Sequence, residues 1–452
     1  MRITLIHPCV GKLPGEKYIR AWQMEPLPMA QLAALTPDDI QITFWDDRME
    51  DIQYDKPTDL VAISIETYTA RRSYEIATEF RKRNIPVIMG GFHATLCPDE
   101  VAEYADTVII GQAERTWENV LKDFKNNRLQ KIYKDNELNL GLNNIIPDRS
   151  IYKNKNYLKI TLLEAGRGCR FRCEFCSVQK FFNGQHEYRN PDVIRNEILQ
   201  LKKTRKLFFF VDDNIAAHPV QAKELFKMFI PLKIKWVGQA DITISRDKEL
   251  LQLMVASGCQ GILIGFESLN IENLKTMNKS FNSLNGGPAE AIRILHKYGL
   301  RIYATFLYGY PNDTIEDFNN ILKFCLQNKI FMVGFNHLTP FPGTELYERL
   351  KKDDLLLYDK WWLDNRYTYG QIPFKSDIPH ETIEQHSRKD RKTFYGLSSI
   401  LYRMTNLTNI SGFRMLLYYL SINLMLRNDT IQRMRFPLGD KSFTGNLIKV
   451  KR

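Results

Sequence analysis

Three cysteines, Cys169, Cys173 and Cys176, fall within eight positions of "GRGCRFRCEFCSVQKFF", a stretch otherwise basic and aromatic. A loop of the form CxxxCxxC can bring three thiolates to three irons of a cubane cluster, leaving the fourth iron open to an outside ligand. Structural zinc is the competing reading. Such sites are closed by four ligands and usually built from paired CxxC units, and no nearby Cys or His completes one here. The chain has seven cysteines, an odd number, and their clustering favours metal or redox chemistry over a disulfide framework. Cys259 and Cys325 are most simply core residues.

Such a loop must be carried by a scaffold, and the flanking sequence supplies one. From 158 to 350 the runs "LKITLLEA", "KLFFFV", "IKWVGQADI", "GILIGF", "LRIYATFLYG" and "MVGFNHL" read as six strands separated by helices. This predicts a partial (β/α)6 barrel of the TIM type, with its chemistry at the carboxyl ends of the strands. The thiol loop follows the first strand, Asp212 and Asp213 the second, Gln239 the third and Glu267 the fourth. Residues 1–135 alternate five apolar runs with helical patterns, the rhythm of an α/β doubly wound, Rossmann-like parallel sheet. The stretch 136–157, rich in Asn and without periodicity, reads as a linker. The region 351–452 is helical and aromatic. In its last helix Phe413, Leu416, Leu417, Leu420 and Leu424 share one face, expected to cover the core, with a membrane-surface helix as the alternative. No apolar run approaches the ~20 residues of a membrane span.

Composition bounds the rest. A chain of 452 residues, 44% hydrophobic and 25% charged, is an ordinary globular protein of two or three domains. The net charge of +11 comes from scattered Lys and Arg and is read as a solvated surface, so a nucleic-acid partner is not expected. The opening "MRITLIHPCVG" has no secretory pattern, and a cytoplasmic location is expected, with membrane association as the alternative.

With Phe175 just before the last thiol, the cysteine loop resembles the signature of the radical S-adenosylmethionine (SAM) superfamily. That resemblance implies a 4Fe-4S cluster held by Cys169, Cys173 and Cys176, with SAM on the open iron as the source of a 5′-deoxyadenosyl radical. It further implies SAM contacts from Phe175, Asp213, Gln239 and Glu267. Strand alternation would aim only one of Asp212 and Asp213 inward, and Asp213 is the choice. The stretches "SIET", "MGGFHATLCPDEV" and "ADTVIIGQAE" resemble the cobalamin-binding domain of the class B group, which includes the anaerobic magnesium-protoporphyrin monomethyl ester cyclase and hopanoid methylases. By that resemblance Glu66, Thr67, Gly90, Gly91, His93 and the run Gly111 to Glu114 line the corrin. The DxHxxG motif that supplies a cobalt-binding histidine in mutases is absent, the chain reading "DDRMEDI" at that point, and Gln112 stands where Glu is frequent. Neither His7 nor His93 is expected to ligate cobalt.

The leading expectation is a cobalamin-dependent radical SAM methylase acting on an unactivated carbon of a small-molecule or lipid-like substrate. An electron donor such as flavodoxin or ferredoxin would serve the cluster. An oxidative cyclase or rearrangement enzyme is the alternative. A tRNA methylthiolase would need three further cysteines in the first domain, where only Cys9 and Cys97 occur. A structural or sensory iron-sulfur protein is the non-enzyme reading. Trp361, Trp362, Tyr367 and Tyr369 could stack on a planar substrate, but are more simply core.

Overall fold

The computed structural model describes residues 1–15, 23–135, 145–432 and 436–450. The amino-terminal sheet has six parallel strands: β1 (Arg2–His7), β2 (Gln41–Asp46), β3 (Leu60–Ser64), β4 (Val87–Gly90), β5 (Thr107–Ile110) and β6 (Ile132–Lys134). Runs such as "LVAIS" are buried almost throughout because helices cover both faces of the sheet, which removes the polar alternation of a half-exposed strand. The order is β2-β1-β3-β4-β5-β6. The reversal beside β1 splays the loops at the carboxyl ends into a crevice, the usual ligand position of this topology. Helix α1 (Leu27–Leu35) closes one side of that crevice. The edge strand β6 goes beyond the five expected, since three residues are too few for a pattern to be read.

The second sheet holds β7 (Thr161–Leu163), β8 (Leu207–Phe210), β9 (Lys235–Gln239), β10 (Cys259–Glu267), β11 (Arg301–Tyr308) and β12 (Met332–His337). These are parallel and neighbour one another in chain order, and β7 does not pair with β12. Six strands wound in one direction without closure make the expected partial barrel. Phe208, Phe210, Trp236, Phe266 and Phe306 fill its core, with Trp236 Nε1 satisfied by Ser257 Oγ at 3.1 Å. The short helix α2 (Ser177–Phe182) begins directly after Cys176. Part of the expected linker, 136–144, lies outside the described residues. The remainder is packed: Tyr152 donates to the Pro26 carbonyl at 2.6 Å, and Arg149 to the Leu162 carbonyl at 2.7 Å.

Beyond the barrel the chain first returns to the amino-terminal core. Trp361, Trp362 and Tyr367 are fully buried with Tyr74 and Ile63, as the core reading of these aromatics requires. Trp361 Nε1 donates to the Pro340 carbonyl and Trp362 Nε1 to Glu100, both at 2.9 Å. Helices α3 (His380–Phe394), α4 (Leu397–Met404) and α5 (Phe413–Gln432) follow, α3 lying on β12. No helix among the described residues is long and apolar enough to cross a membrane. The tail then pairs Gly439–Asp440 with Gly11–Lys12, tying the end of the chain to its beginning.

One expectation holds only in part. Of the stripe Phe413, Leu416, Leu417, Leu420 and Leu424, Leu420 packs against Phe331, Ile400 and Tyr419, but Phe413, Leu417 and Leu424 are exposed, while Tyr419 and Asn423 are buried. Apolar side chains occupy two faces of α5, and Arg403 selects between them. Its guanidinium is buried, 3.8 Å above the Phe394 ring, and donates to the carbonyls of Ile330, Phe331 and Phe394 and to Asn423 Oδ1 at 3.0 Å. A buried cation must have its donors satisfied, and the Tyr419/Asn423 face carries the amide oxygen that completes the set.

Candidate functional site

The thiol loop leaves β7 through the ribbon Gly166–Gly168, paired antiparallel with His186–Tyr188. Gly168 has φ +83°, and a Cβ there would lie 2.0 Å from the Gln185 carbonyl oxygen, so glycine alone fits. The loop is then pinned from several sides. Asp213 Oδ2 accepts from the Gly168 N–H at 2.9 Å. Glu174, buried between Cys173 and Phe175, accepts from Arg349 at 2.8 Å, and its carbonyl accepts from Leu346 N–H at 3.1 Å. Phe171 stacks on Phe281 at 4.2 Å, and Phe175 meets Tyr310 edge-on at 6.4 Å.

The three thiols are half-buried and unbridged. Burial pushes Cys173 up to about 12 and raises Cys169 and Cys176, and for Cys169 and Cys173 the neighbouring loop thiolates add to the rise. A metal binding there must displace the protons. Among the described residues no three His, Cys, Asp or Glu side chains converge as ligands of a single ion. A cubane does not ask for that, since each thiolate meets a different iron.

The strand ends surround this loop. Asp212 faces the core and accepts from Ala165 N–H at 2.9 Å, whereas Asp213 faces the cavity, with its pKa pushed up to about 6 by burial. Gln239 ends β9 half-buried, its carbonyl accepting from Ile215 N–H at 2.9 Å. Glu267 has φ +66° at a register shift on β10, and its Oε1 accepts from Lys279 Nζ at 2.9 Å. Lys279 also donates to the Gly265 carbonyl at 3.0 Å. Glu267 is thus one half of a buried ion pair, not the isolated carboxylate that its position in "GFES" suggests. Lys279 has no signal in the sequence: "MNKSFNS" is no motif, and only the fold carries it to this mouth.

Between the two sheets lies a cavity of about 280 Å³. Its wall on the amino-terminal sheet is largely apolar, with Leu32, Leu35, Ile63, Ile88 and Ile109, and is edged by Glu66, Gly90, Gly91, Gly111 and Glu114. Its other wall carries Glu164, Arg167, Val211 and Asp213 from the barrel. Glu66 is solvent-accessible because it faces this cavity; the protein around it raises its pKa by desolvation. Gly91 has φ +109°, and a Cβ would stand 2.9 Å from the Ile65 carbonyl. Phe92 stacks on Phe181 of α2 at 4.5 Å, joining the glycine loop to the thiol loop. An apolar wall facing a charged one suits a large ligand with an apolar face and a polar rim, as a corrinoid has.

Arg167 spans the cavity edge. Its guanidinium lies 2.6 Å from Glu114 Oε1, donates to Gln112 Oε1 at 2.6 Å and meets Glu164 Oε1 at 2.8 Å. It therefore ties the loop after β5 to the strand that launches the thiol loop. The "GRG" preceding Cys169 is the only mark of this residue in the sequence.

Thr67 and His93, expected at the corrin, are placed elsewhere. His93 is fully buried, Nδ1 3.2 Å from Thr67 Oγ1 and Nε2 3.1 Å from Glu100 Oε1. Glu100 also accepts from Tyr74 and Trp362, each at 2.9 Å, and pairs with Lys360 at 3.0 Å. Burial alone would raise the Glu100 carboxyl, but these donors bring it down to about 2. Both residues follow strands at the carboxyl edge, as Gly90 and Glu66 do; the turn of the backbone at Gly91 directs the histidine ring inward.

Residues 163–325 match the radical SAM superfamily and residues 23–121 the B12 binding domain. The chain is 31% identical to bacteriochlorophyllide d C-12(1)-methyltransferase of Chlorobaculum tepidum, over 84% of each chain. It is 30% identical to bacteriochlorophyllide d C-8(2)-methyltransferase of the same organism, over 76% of this chain and 80% of that one. Among solved structures it resembles the radical SAM methyltransferase TsrM from Kitasatospora setae with cobalamin and a 4Fe-4S cluster bound, with TM-score 0.61, 16% identity and 78% of each chain covered.

Proposed function

Since the chain belongs to the radical SAM superfamily, in the group with a cobalamin-binding domain, we propose that it methylates carbon at the cavity between its two sheets. It is a cobalamin-dependent radical SAM methyltransferase whose cofactors are a 4Fe-4S cluster, SAM and cobalamin. The observation that carries the assignment to this cavity is its double lining: Glu66, Gly90 and Gly111 from the cobalamin-binding sheet, and Arg167 and Asp213 beside the thiol loop.

In this reading Cys169, Cys173 and Cys176 hold three irons and leave the fourth for SAM. When bound, these groups supply a 5′-deoxyadenosyl radical to remove a hydrogen from the substrate and a methyl group to replace it. Asp213, which fixes the loop through Gly168, would offer its carboxyl to the SAM amino group. Glu267, oriented by Lys279, would serve the same ligand, with Gln239 at the end of the neighbouring strand and Phe175 in the thiol loop. Gly90, Gly91 and Gly111 let a corrin edge approach the backbone, because no Cβ projects there. The Phe92–Phe181 stack would help keep water from the space between the two cofactors. Arg167 holds the two halves in register.

The substrate is a small, largely apolar molecule. The two relatives named above act on bacteriochlorophyllide d, and a chlorin of that kind is the first substrate to test. The cluster takes its electron from a small reductant such as flavodoxin or ferredoxin. Anaerobic reconstitution with iron, sulfide and cobalamin, followed by assay of 5′-deoxyadenosine and S-adenosylhomocysteine, tests the reading. Both products together are expected. The nucleoside alone would point to the cyclase alternative, and neither product would remove the assignment.

A further inference from the structure

Helices α4 and α5 cap the amino-terminal end of the barrel, far from the cavity at the strands' carboxyl ends. Arg403 of α4 reaches the carbonyls of Ile330 and Phe331 just ahead of β12, and Arg301 at the start of β11 donates to Ser411. The inward faces of the two helices meet at Ile400 and Tyr419, packed on Phe331. Their outward faces are apolar and open, Leu401 being 62% exposed, Phe413 74% and Leu417 51%, and Leu407 in the turn between the two helices is 76% exposed. Among the described residues nothing covers them. Single exposed leucines are ordinary, but two neighbouring helices both presenting large apolar side chains outward are not.

The charge on this segment is one-sided. Between positions 391 and 428 there is no Asp or Glu, while Lys392, Arg414 and Arg427 are exposed. Arg403, the cation of α4, is spent inside the fold, and Arg391 of α3 donates to the Phe335 carbonyl. We propose that the outer face of α4 and α5 rests on an anionic phospholipid surface, Phe413, Leu417 and Leu401 entering the headgroup boundary and Arg414 and Arg427 meeting lipid phosphates. A second copy of the chain fits this face poorly. A twofold pairing would bring two sets of this face's arginines together; positions 391–428 supply no carboxylate between them, and the single Asp429 of α5 does not balance Arg414 and Arg427. The other side of α5, carrying Asn423 and holding Arg403, must stay against the protein, so the helix lies along the surface instead of crossing it.

The full reconstituted chain is to be sedimented with vesicles of phosphatidylglycerol and, separately, of phosphatidylcholine at low salt. At least ~10-fold stronger partition into phosphatidylglycerol is expected, falling as salt is raised. Leu401→Ser, Phe413→Ser and Leu417→Ser together, or Arg414→Glu with Arg427→Glu, should each abolish that preference. All five side chains are exposed, so thermal unfolding and 5′-deoxyadenosine formation should stay at the parent's level, which separates failure here from failure of the methylase reading. Equal partition into the two lipids, binding unchanged in both variants, or a concentration-dependent dimer that the serine variant dissolves would overturn the proposal.

Discussion

At the scale of single residues, one carboxylate held from many sides near the cofactor-binding sheet is Glu100, which collects a histidine, a tyrosine, a tryptophan and a lysine. Its carboxyl sits at about 2 against an ordinary 4.5. A carboxyl lowered in the folded state gives stability that is fully present above pH 4.5 and lost as pH falls toward 2. The difference corresponds to about 3 kcal/mol. Urea unfolding followed from pH 7 down to 3 should therefore show a steeper loss for the parent than for Glu100→Gln, whose curve is flatter and starts lower. The same bonds explain why His93 is a structural residue: both of its ring nitrogens are engaged in the core.

At the scale of elements, the thiol loop depends on how its ribbon turns. Gly168→Ala forces a Cβ into the Gln185 carbonyl, and backbone strain of this kind costs about 1–3 kcal/mol before the clash is counted. The expected outcome is loss of most of the iron per chain after anaerobic reconstitution, read by iron analysis and the cluster's visible absorption. Gly184→Ala is the control. Gly184 also has positive φ, +71°, but a Cβ there would come no nearer than 3.6 Å to the flexible Arg172 side chain. That variant should keep its iron.

At the scale of the whole molecule, radical formation and methyl transfer must occur across a boundary between two sheets, and Arg167 is a charged side chain that bridges it, beside the Phe92–Phe181 stack and the Gln31–Glu164 hydrogen bond. Arg167→Ala should leave cluster and cobalamin each incorporated while separating the two activities. A misplacement near 1 Å costs up to ~100-fold in a positioned reaction. Methylated product per 5′-deoxyadenosine should fall by at least ~10-fold, measured by chromatography of both in single-turnover samples. Equal loss of both products would instead mark Arg167 as a residue of the cluster loop alone. The carboxyl-terminal segment contributes at this scale too, since Trp361 and Trp362 complete the amino-terminal core from more than 250 positions away.

The sequence by itself determined the local matters. The spacing of Cys169, Cys173 and Cys176 carries the expectation of an open-cornered cluster, and the apolar runs declare two series of parallel strands by composition. Extending strand alternation past Phe210, where β8 ends, favours Asp213 over Asp212 for the inward position, and the side chains do part that way, Asp213 to the cavity and Asp212 to the core. What depended on pairs distant in the chain was decided only by tertiary structure. Lys279 reaches Glu267 through a turn of no distinctive composition, and Arg167 finds Glu114 across a domain boundary. The outward face of α5 could not be read from its own periodicity, since a helix apolar on two sides has no preferred orientation. Buried Arg403, needing acceptors, settled it. Local pattern reports what a segment can bury, and only its packing partners select which side it does bury.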